Sequence, residues 1–139
     1  MQPLKNMYKR VMVIDDSPVD RYIAETNIKK TSFSEQVCCK DSALTALEYL
    51  QLNAGSAERL PELIFLDINM PEINGFGFLE KFATLPQQVQ NTCTIMMLSS
   101  SLDTNDHQKA GENKHVKRFV SKPLGKEKLQ ELLQQKMTS

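Results

Sequence analysis

Four polar positions in the chain each follow a short segment that is wholly or partly apolar. They are Asp15-Asp16, Asp67, Ser99 and Lys122. Carboxylate oxygens are the ligands that Mg²⁺ prefers, while an ammonium and a hydroxyl can both donate hydrogen bonds to phosphoryl oxygens. An aspartate can also act as a nucleophile and form an aspartyl phosphate. If one fold brings these positions together, they have the residue types that phosphoryl transfer needs.

Asp67 is the position with the strongest local context. The residues before it, 63–66, are all apolar, whereas Pro71 and the Asn74-Gly75 pair keep the following segment out of regular structure. This pattern predicts a buried strand that delivers Asp67 to a loop. On its own the pattern is weak, because an aspartate that closes an apolar run is more often a turn former or a helix cap.

Five short apolar runs predict the strands that position these residues. Residues 11–14, 63–66 and 94–98 are apolar at nearly every position, which is typical of strands buried on both faces of a sheet. A less apolar run at 36–39 indicates a strand near an edge, and residues 118–121 form the fifth predicted strand.

Helical segments are predicted after each strand. They cover residues 19–30, from Asp41-Ser42 to about 53, from Gly75 to about 85, 103–114 and 126–136. In the second helix, Leu44, Leu47 and Leu50 form the predicted inward stripe, with Ala43 and Ala46 beside it. The fourth helix has few apolar residues and is expected to be exposed. The polar segment 87–92 is predicted to be a connector between the third helix and the fourth strand.

The alternation of five strands and five helices predicts an α/β fold. Such alternation is typical of a doubly wound parallel sheet with right-handed crossovers and helices on both faces. The carboxyl ends of parallel strands share one edge, so Asp15-Asp16, Asp67, Ser99 and Lys122 are expected to converge there. Carboxylates in close proximity repel one another unless a cation lies among them. The sequence therefore predicts a divalent metal, Mg²⁺ or Mn²⁺, at this edge.

Composition limits the possible classes of function. The 139 residues are near the modal size of a single domain, and 17 Lys and Arg balance 17 Asp and Glu. A chain without net charge has no bulk field to attract nucleic acid or an anionic membrane. Its 3 cysteines have no metal-ligand spacing and favour a reducing compartment, and no apolar run is long enough to span a membrane. We expect a soluble cytoplasmic protein.

Taken together, the motifs resemble those of the receiver domain of a two-component response regulator. The similarity rests on Asp15-Asp16 after the first apolar run, Asp67 with Met70-Pro71 and Gly75 behind it, Ser99 after Met97-Leu98, and Lys122-Pro123 after Phe119-Val120-Ser121. These separated motifs occur in the family's order and cover about residues 10–136. The resemblance implies the flavodoxin-like (βα)5 receiver fold over residues 10–137, after an N-terminal extension of residues 1–9.

The resemblance also implies a role for each motif. Asp67 is expected to be the phosphoacceptor, which takes a phosphoryl group from a sensor histidine kinase or a histidine phosphotransfer protein. The implied ligands of the metal are Asp15, Asp16, Asp67 and the backbone carbonyl of Asn69. Lys122 is expected to bind a phosphoryl oxygen, and its peptide bond to Pro123 is expected to be cis.

Other residues match the family's conformational switch. Ser99 matches the switch Ser/Thr, and Phe119 matches the aromatic residue that turns inward when that hydroxyl moves toward the phosphoryl group. Asn69 and Ser101 match positions that tune the rate of dephosphorylation. The chain departs from the family at His115-Val116, where members often carry a Gly-Ala pair.

Each assignment has an ordinary structural alternative. Asp15-Asp16 can simply cap the first helix, Lys122 can be a solvated residue before a turn proline, and Phe119 can be a core residue. Because Ser100 lies next to Ser99, the position of the switch hydroxyl is open by one residue.

Other functional classes share parts of this pattern. A phosphatase that forms an aspartyl phosphate needs a second acid two residues after the nucleophile, where this chain has Asn69. A nucleotide-binding fold of the doubly wound class needs a glycine-rich phosphate loop, and the 5 glycines form none. A phosphorylation-independent protein-binding module on the same fold is the remaining alternative.

We expect a signalling protein rather than an enzyme that turns over a separate substrate. It would catalyse only its own phosphorylation and dephosphorylation. Because only residues 137–139 follow Lys136, we expect no DNA-binding output domain. The signal would then pass to a partner by docking, by relay or through a phosphorylation-dependent dimer.

Overall fold

Parallel strands form a single sheet in the computed structural model, which describes residues 7–100 and 104–138. The strands are β1 (Tyr8–Ile14), β2 (Ser34–Lys40), β3 (Leu63–Asp67), β4 (Thr94–Ser99) and β5 (Val116–Ser121). Their order in the sheet is β2-β1-β3-β4-β5. The predicted doubly wound α/β fold is confirmed, and so is the edge position of the second strand.

Helices occupy both faces of this sheet. Within the described ranges they are α1 (Pro18–Lys30), α2 (Ala43–Leu52), α3 (Gly75–Phe82), α4 (Gln87–Thr92), α5 (Thr104–Glu112) and α6 (Lys126–Thr138). None of these six helices combines the length and the apolar character that crossing a membrane requires.

The prediction of five helices was wrong, because the segment 87–92 forms α4. Val89 of this helix is fully buried and packs into the core. The side-chain amide of Gln90 donates to the carbonyl oxygens of Ala83 and Leu85 at 3.0 and 2.8 Å, which ties α4 to the end of α3. A single apolar residue in a short helix produces no periodic pattern, so the composition indicated a connector.

The first strand begins earlier than predicted. Tyr8 pairs with Ser34 of β2, and its ring centroid lies 5.2 Å from that of Phe33. Tyr8 and Lys9, which were predicted to belong to an extension of residues 1–9, therefore form part of the sheet. Residues 1–6 of that extension lie outside the described residues.

The buried face of α2 also differs from the prediction. Ala43, Ala46, Leu47 and Leu50 are buried, whereas 49% of Leu44 is exposed. The predicted inward position of Leu44 was wrong. The stripe instead follows the i, i+4, i+7 spacing of a helix, and it begins at the small Ala43.

Two apolar cores lie on opposite faces of the sheet, because successive strand residues point to opposite sides. One core contains Val11, Val13, Leu63 and Phe65 of the strands, together with Ile28 of α1 and Leu129 of α6. The other contains Met12, Ile14, Ile64 and Leu66, together with residues of α2 to α5 such as Leu50, Phe78, Val89 and Ala110. Burial on both faces explains why residues 11–14 of β1 and 63–66 of β3 are all apolar.

The strand order creates a crevice between the connections that leave β1 and β3. These two strands are neighbours, although β2 separates them in sequence. Ligands of doubly wound folds bind at such a point, outside the carboxyl ends of the strands. Asp15 directly follows β1, and Asp67 is the last residue of β3.

Candidate functional site

The ammonium group of Lys122 lies at the centre of an acidic cluster at the carboxyl ends of the strands. Its Nζ is 2.8 Å from Oδ2 of Asp15, 2.9 Å from Oδ2 of Asp20 and 3.3 Å from Oδ1 of Asp67. The exposed fractions of the Lys122, Asp15 and Asp67 side chains are 13%, 2% and 4%. The structure therefore brings the predicted Asp15, Asp67 and Lys122 together in a largely buried site.

Asp15 is held by the turn between β1 and α1. Its backbone N–H donates to the carbonyl of Lys40 at 3.0 Å, and its Oδ1 accepts from the N–H of Ser17 at 2.9 Å. The N-cap of α1 is Ser17, whose hydroxyl accepts from the N–H of Asp20 at 3.2 Å. Since a serine has the capping role, Oδ2 of Asp15 and the exposed carboxylate of Asp16 are left for the cluster.

The loop between β3 and α3 packs closely around Asp67. The N–H of Gly75 donates to the carbonyl of Ile68 at 2.8 Å. A Cβ on Gly75 would lie 2.9 Å from the Asp67 carbonyl oxygen, from Ile68 Cα and from Met97 Cε. The N–H of Asn69 donates to Oδ1 of Asp67 at 3.3 Å. Glycine is thus needed where α3 begins against the backbone of Asp67.

The carboxylates of Asp15, Asp16 and Asp67 form a set of oxygen donors suited to a divalent cation. Each residue offers an oxygen, and these atoms lie within 4.8 Å of one another. Mg²⁺ prefers such hard ligands and keeps several waters, which the exposed side of Asp16 would admit. The donor set fits the predicted metal, while the part of the Asn69 carbonyl as a ligand stays a prediction.

The electrostatics of the cluster follow from burial and from the excess of carboxylates. The pKa of Asp67 is raised from 3.8 to about 6, mainly by burial and then by the charge of Asp15, although Lys122 and the N–H of Asn69 lower it. Burial also disfavours the charge on Lys122, but hydrogen bonds to Asp15 and Asp20 and the charge of Asp67 raise its pKa above the usual value. The cluster therefore holds Lys122 as a cation and still carries net negative charge.

Comparison with known families decides what kind of domain contains this cluster. The family model for the response regulator receiver domain matches residues 11–134. The chain belongs to the receiver domain family. The match extends from β1 into α6, so it includes the acidic cluster of this receiver domain.

Individual relatives are response regulators and related proteins. The chain is 32% identical to protein PilG of Pseudomonas aeruginosa over 120 residues, which are 86% of this chain and 81% of PilG. It is 29% identical over 127 residues to the two-component response regulator ORR1 of Oryza sativa subsp. japonica, covering 88% of this chain and 53% of the rice protein. The receiver thus spans about half the length of the rice relative.

Solved structures support the same assignment. The chain superposes on the crystal structure of a two-component response regulator from Cytophaga hutchinsonii with a TM-score of 0.85 and 32% identity, covering 96% of this chain and 99% of the other. A response regulator receiver protein from Dyadobacter fermentans gives a TM-score of 0.81 and 32% identity, with 94% and 99% coverage.

Ser99 is the hydroxyl residue that ends β4 of the receiver domain. It is fully buried, and its carbonyl accepts from the N–H of Lys122 at 2.9 Å. Ser100 is exposed, and the predicted tuning residue Ser101 lies outside the described residues. Of the two candidates for the switch hydroxyl, Ser99 is therefore the buried one, and its role as a switch stays a prediction. The peptide bond from Lys122 to Pro123 is cis, as expected.

Phe119 of the receiver lies half-buried on β5 and packs against the apolar core. Its ring stacks on the imidazole of His107 in α5, with centroids 3.7 Å apart and an angle of 27° between the planes. The ordinary alternative for Phe119, a packing role, is thus part of the observed structure. The contact between His107 and Phe119 joins α5 to β5, and the sequence pattern did not predict it.

The sequence pattern missed two charged residues of the receiver site, Asp20 and Arg21 in the first turns of α1. Asp20 contacts Lys122, and Nη1 of Arg21 donates to the carbonyl of Asp15 at 2.8 Å. Both residues lie about one helical turn after Asp16, and this spacing was the only sign in the sequence that they could reach the site. An acid in the first turn is, however, also typical of any helix N-terminus, so Asp20 did not stand out.

Proposed function

We propose that this receiver is a phosphoacceptor switch of a two-component phosphorelay. In this proposal Asp67 accepts a phosphoryl group from a sensor histidine kinase or a histidine phosphotransfer protein, in a reaction that depends on Mg²⁺ or Mn²⁺. The observation that supports the proposal most strongly is the position of Asp67. Its buried carboxylate lies 3.3 Å from the ammonium of Lys122 and belongs to the cluster of carboxylate donors.

The proposed reaction moves the phosphoryl group between two side chains. Because Oδ1 of Asp67 accepts from Lys122 and Asn69, Oδ2 is the nucleophile in this proposal. Oδ2 attacks phosphorus, the bond between phosphorus and the imidazole nitrogen of the donor breaks, and the nitrogen keeps the electron pair. Lys122 donates to a phosphoryl oxygen while Asp15 holds the ammonium in place. A divalent cation held by Asp15, Asp16, Asp67 and the carbonyl of Asn69 would neutralise charge on these oxygens.

The new group changes the hydrogen bonds available at the end of β4. A phosphoryl group brings about −1.5 to −2 charge and strong acceptor oxygens. The hydroxyl of Ser99 gains an acceptor there, and the shift of Ser99 is coupled to a change in the position of Phe119. Phosphorylation would thereby change the population of two conformations of the face formed by α5, β5 and α6.

Output would occur through protein contacts on this face. Its exposed basic residues, Lys109, Lys117 and Arg118, suit a partner that prefers one of the two conformations. We infer that the chain is not an enzyme for a separate substrate. Hydrolysis would remove the phosphoryl group, at a rate tuned by Asn69 and Ser101. The 3 free thiols fit a cytoplasmic location.

The proposal is tested by measuring intact mass after incubation with acetyl phosphate, with and without Mg²⁺. The wild type is expected to gain one phosphoryl mass only when Mg²⁺ is present. Asp67→Asn is expected to gain none, because an amide oxygen does not form the acyl phosphate. Asp106→Asn in α5 is the matched control, since it removes a carboxylate outside the cluster, and it should be phosphorylated like the wild type.

Two results would contradict the proposal. One is the absence of any mass gain in rapidly quenched wild-type protein with Mg²⁺ present, which would favour a phosphorylation-independent binding module. The other is an undiminished gain in Asp67→Asn, which would place the phosphoryl group on another residue.

A further inference from the structure

Asp20 makes an interaction with Lys122 that the proposed reaction does not require. Its Oδ2 is 2.9 Å from Nζ of Lys122, nearly as close as Oδ2 of Asp15 at 2.8 Å and closer than Oδ1 of Asp67 at 3.3 Å. The side chain of Asp20 is 37% exposed, compared with 2% for Asp15. Lys122 is therefore bound to a carboxylate at the rim of the site as well as to the two buried ones.

The present hydrogen bonds of Lys122 determine which of its partners a phosphoryl group on Asp67 would replace. An ammonium has three N–H donors, and in this structure three carboxylates accept them. A phosphoryl group on Asp67 would take the donor that now points to Oδ1 of Asp67, which makes the longest of the three contacts. The bonds to Asp15 and Asp20 would remain. Asp20 and the phosphoryl oxygens would then contact the same ammonium group of Lys122.

We propose that Asp20 is a positioning residue whose negative charge weakens the attraction of Lys122 for the phosphoryl group. This inference rests on the proposed function of Asp67. A carboxylate in contact with Nζ offsets part of the ammonium charge, and it also repels the phosphoryl dianion across a short distance. Asp20 thus lowers the affinity of the receiver for a phosphoryl group and sets how far phosphorylation shifts the switch.

Asp20 has a second effect of opposite sign, which a set of substitutions separates from the first. Its hydrogen bond restrains the flexible Lys122 side chain, and this restraint favours phosphoryl binding. Asp20→Asn keeps a side-chain oxygen as an acceptor but removes the charge. Asp20→Glu keeps the charge on a longer side chain.

The experiment is a titration of each variant with beryllofluoride, a phosphoryl analogue, at saturating Mg²⁺, with the dissociation constant measured by calorimetry. Asp20→Asn is expected to bind beryllofluoride about threefold to tenfold more tightly than the wild type. The gain is limited to this range because solvent weakens the effect of a charge on a partly exposed side chain. Asp20→Glu should bind within about twofold of the wild type. The gain in Asp20→Asn should shrink at high salt, because salt screens the partly exposed charge of Asp20.

Glu25→Gln is the matched control, because it removes another acid of α1 whose partner is Lys29 at 3.1 Å rather than Lys122. It should bind beryllofluoride like the wild type. Thermal melting of every variant in EDTA confirms that the fold is intact before the affinities are compared.

The possible outcomes distinguish this inference from the proposed function. Binding by Asp20→Asn that is equal to or weaker than that of the wild type overturns the inference, because the charge is then not what Asp20 contributes. Equal tightening in Glu25→Gln also overturns it, since the effect would then belong to the net charge of α1. If the wild type binds no beryllofluoride at saturating Mg²⁺, the proposed function fails and the inference fails with it.

Discussion

The two ends of the sheet both carry charged residues of opposite signs, but they arrange them differently. At the carboxyl end, Asp15, Asp67 and Lys122 are largely buried, and both carboxylates lie within 3.3 Å of one ammonium. At the amino end, a cleft of about 490 Å³ is lined by Lys9, Arg10, Glu35, Glu58 and Glu62, among others. Lys9, Glu35 and Glu58 are exposed to solvent.

The difference between the two ends shows what a mixture of charges needs in order to become a site. Water and salt screen exposed charges, whereas buried charges interact strongly and shift one another's pKa values. The raised pKa of Asp67 follows from burial first and from Asp15 second. The carboxyl end therefore differs from the cleft at the amino end because its carboxylates converge on Lys122 and water is excluded from them.

The largest expected effect is the loss of the buried cation. Lys122→Met leaves buried carboxylates without a positive partner, so the free energy of unfolding should fall by about 3–5 kcal/mol. Lys9→Met at the amino end should change it by less than about 0.5 kcal/mol, because Lys9 is exposed. Urea unfolding in EDTA at pH 7.5 measures both. Equal losses in the two variants would contradict the distinction between the two ends.

The next effect comes from packing at the carboxyl end. Gly75→Ala places a Cβ 2.9 Å from backbone atoms of Asp67 and Ile68, so α3 must move. We expect a loss of about 3 kcal/mol in the free energy of unfolding, and slower phosphorylation by acetyl phosphate, because the loop that holds Asp67 is displaced. Gly55→Ala is the control on the connection that enters β3, where a Cβ meets nothing within 4 Å. An unfolding midpoint of Gly75→Ala equal to that of Gly55→Ala would argue against close packing.

A smaller effect is a pH-dependent gain in stability on removing the Asp67 charge. The pKa of Asp67 is 3.8 in the unfolded chain and about 6 in the folded protein. The folded state therefore binds a proton at this carboxyl more strongly than the unfolded chain does, so the wild type loses stability as pH rises between these values. In EDTA at pH 7.5, Asp67→Asn should be more stable by about 2–3 kcal/mol, since one pKa unit corresponds to about 1.4 kcal/mol. Below pH 3.8 this charge-dependent gain should disappear.

A comparison of stability with and without Mg²⁺ tests the effect of the Asp67 charge further. Added Mg²⁺ should stabilise the wild type more than Asp67→Asn and so narrow the difference between them, because the cation offsets the carboxylate charge only in the folded site. Glu62→Gln at the amino end is the control, and its stability should not depend on Mg²⁺. A difference between wild type and Asp67→Asn that is constant from pH 3.5 to pH 7.5 would mean that the charge of Asp67 is not the cause.

The smallest expected effect is at His115, which directly precedes β5 and so lies toward the amino end. Its Nε2 is buried and has no hydrogen-bond partner in the described part of the chain, and its ring centroid lies 5.1 Å from that of Phe82. Burial and the charge of Lys114 lower the pKa of His115, so the folded protein should lose stability as pH falls below 6.5. His115→Phe should reduce this loss in thermal melts between pH 7.5 and pH 5.5. Parallel pH profiles of the two proteins would contradict it.

The sequence was most informative where a single element determines the outcome. Continuous apolar runs predicted β1, β3 and β4 because these strands are buried on both faces of the sheet. The ends of the parallel strands then placed Asp15, Asp67 and Lys122 at one edge. Features that depend on contacts between elements were missed. Helix α4 depends on Val89 and on two carbonyl oxygens near the end of α3, and the role of Asp20 depends on a lysine far along the chain.

The separation of the site residues along the chain has a consequence for folding. The hydrogen bond between Lys122 and Asp20 joins residues 102 positions apart, and β5, which leads to Lys122, is the last strand of the sheet. Because loop-closure entropy must be overcome before such long-range contacts form, we expect this one to form late in folding. A partly folded or truncated chain would therefore present Asp67 without its cation. If Asp67 is the phosphoacceptor proposed above, its phosphorylation would then be confined to molecules in which β5 has joined the sheet.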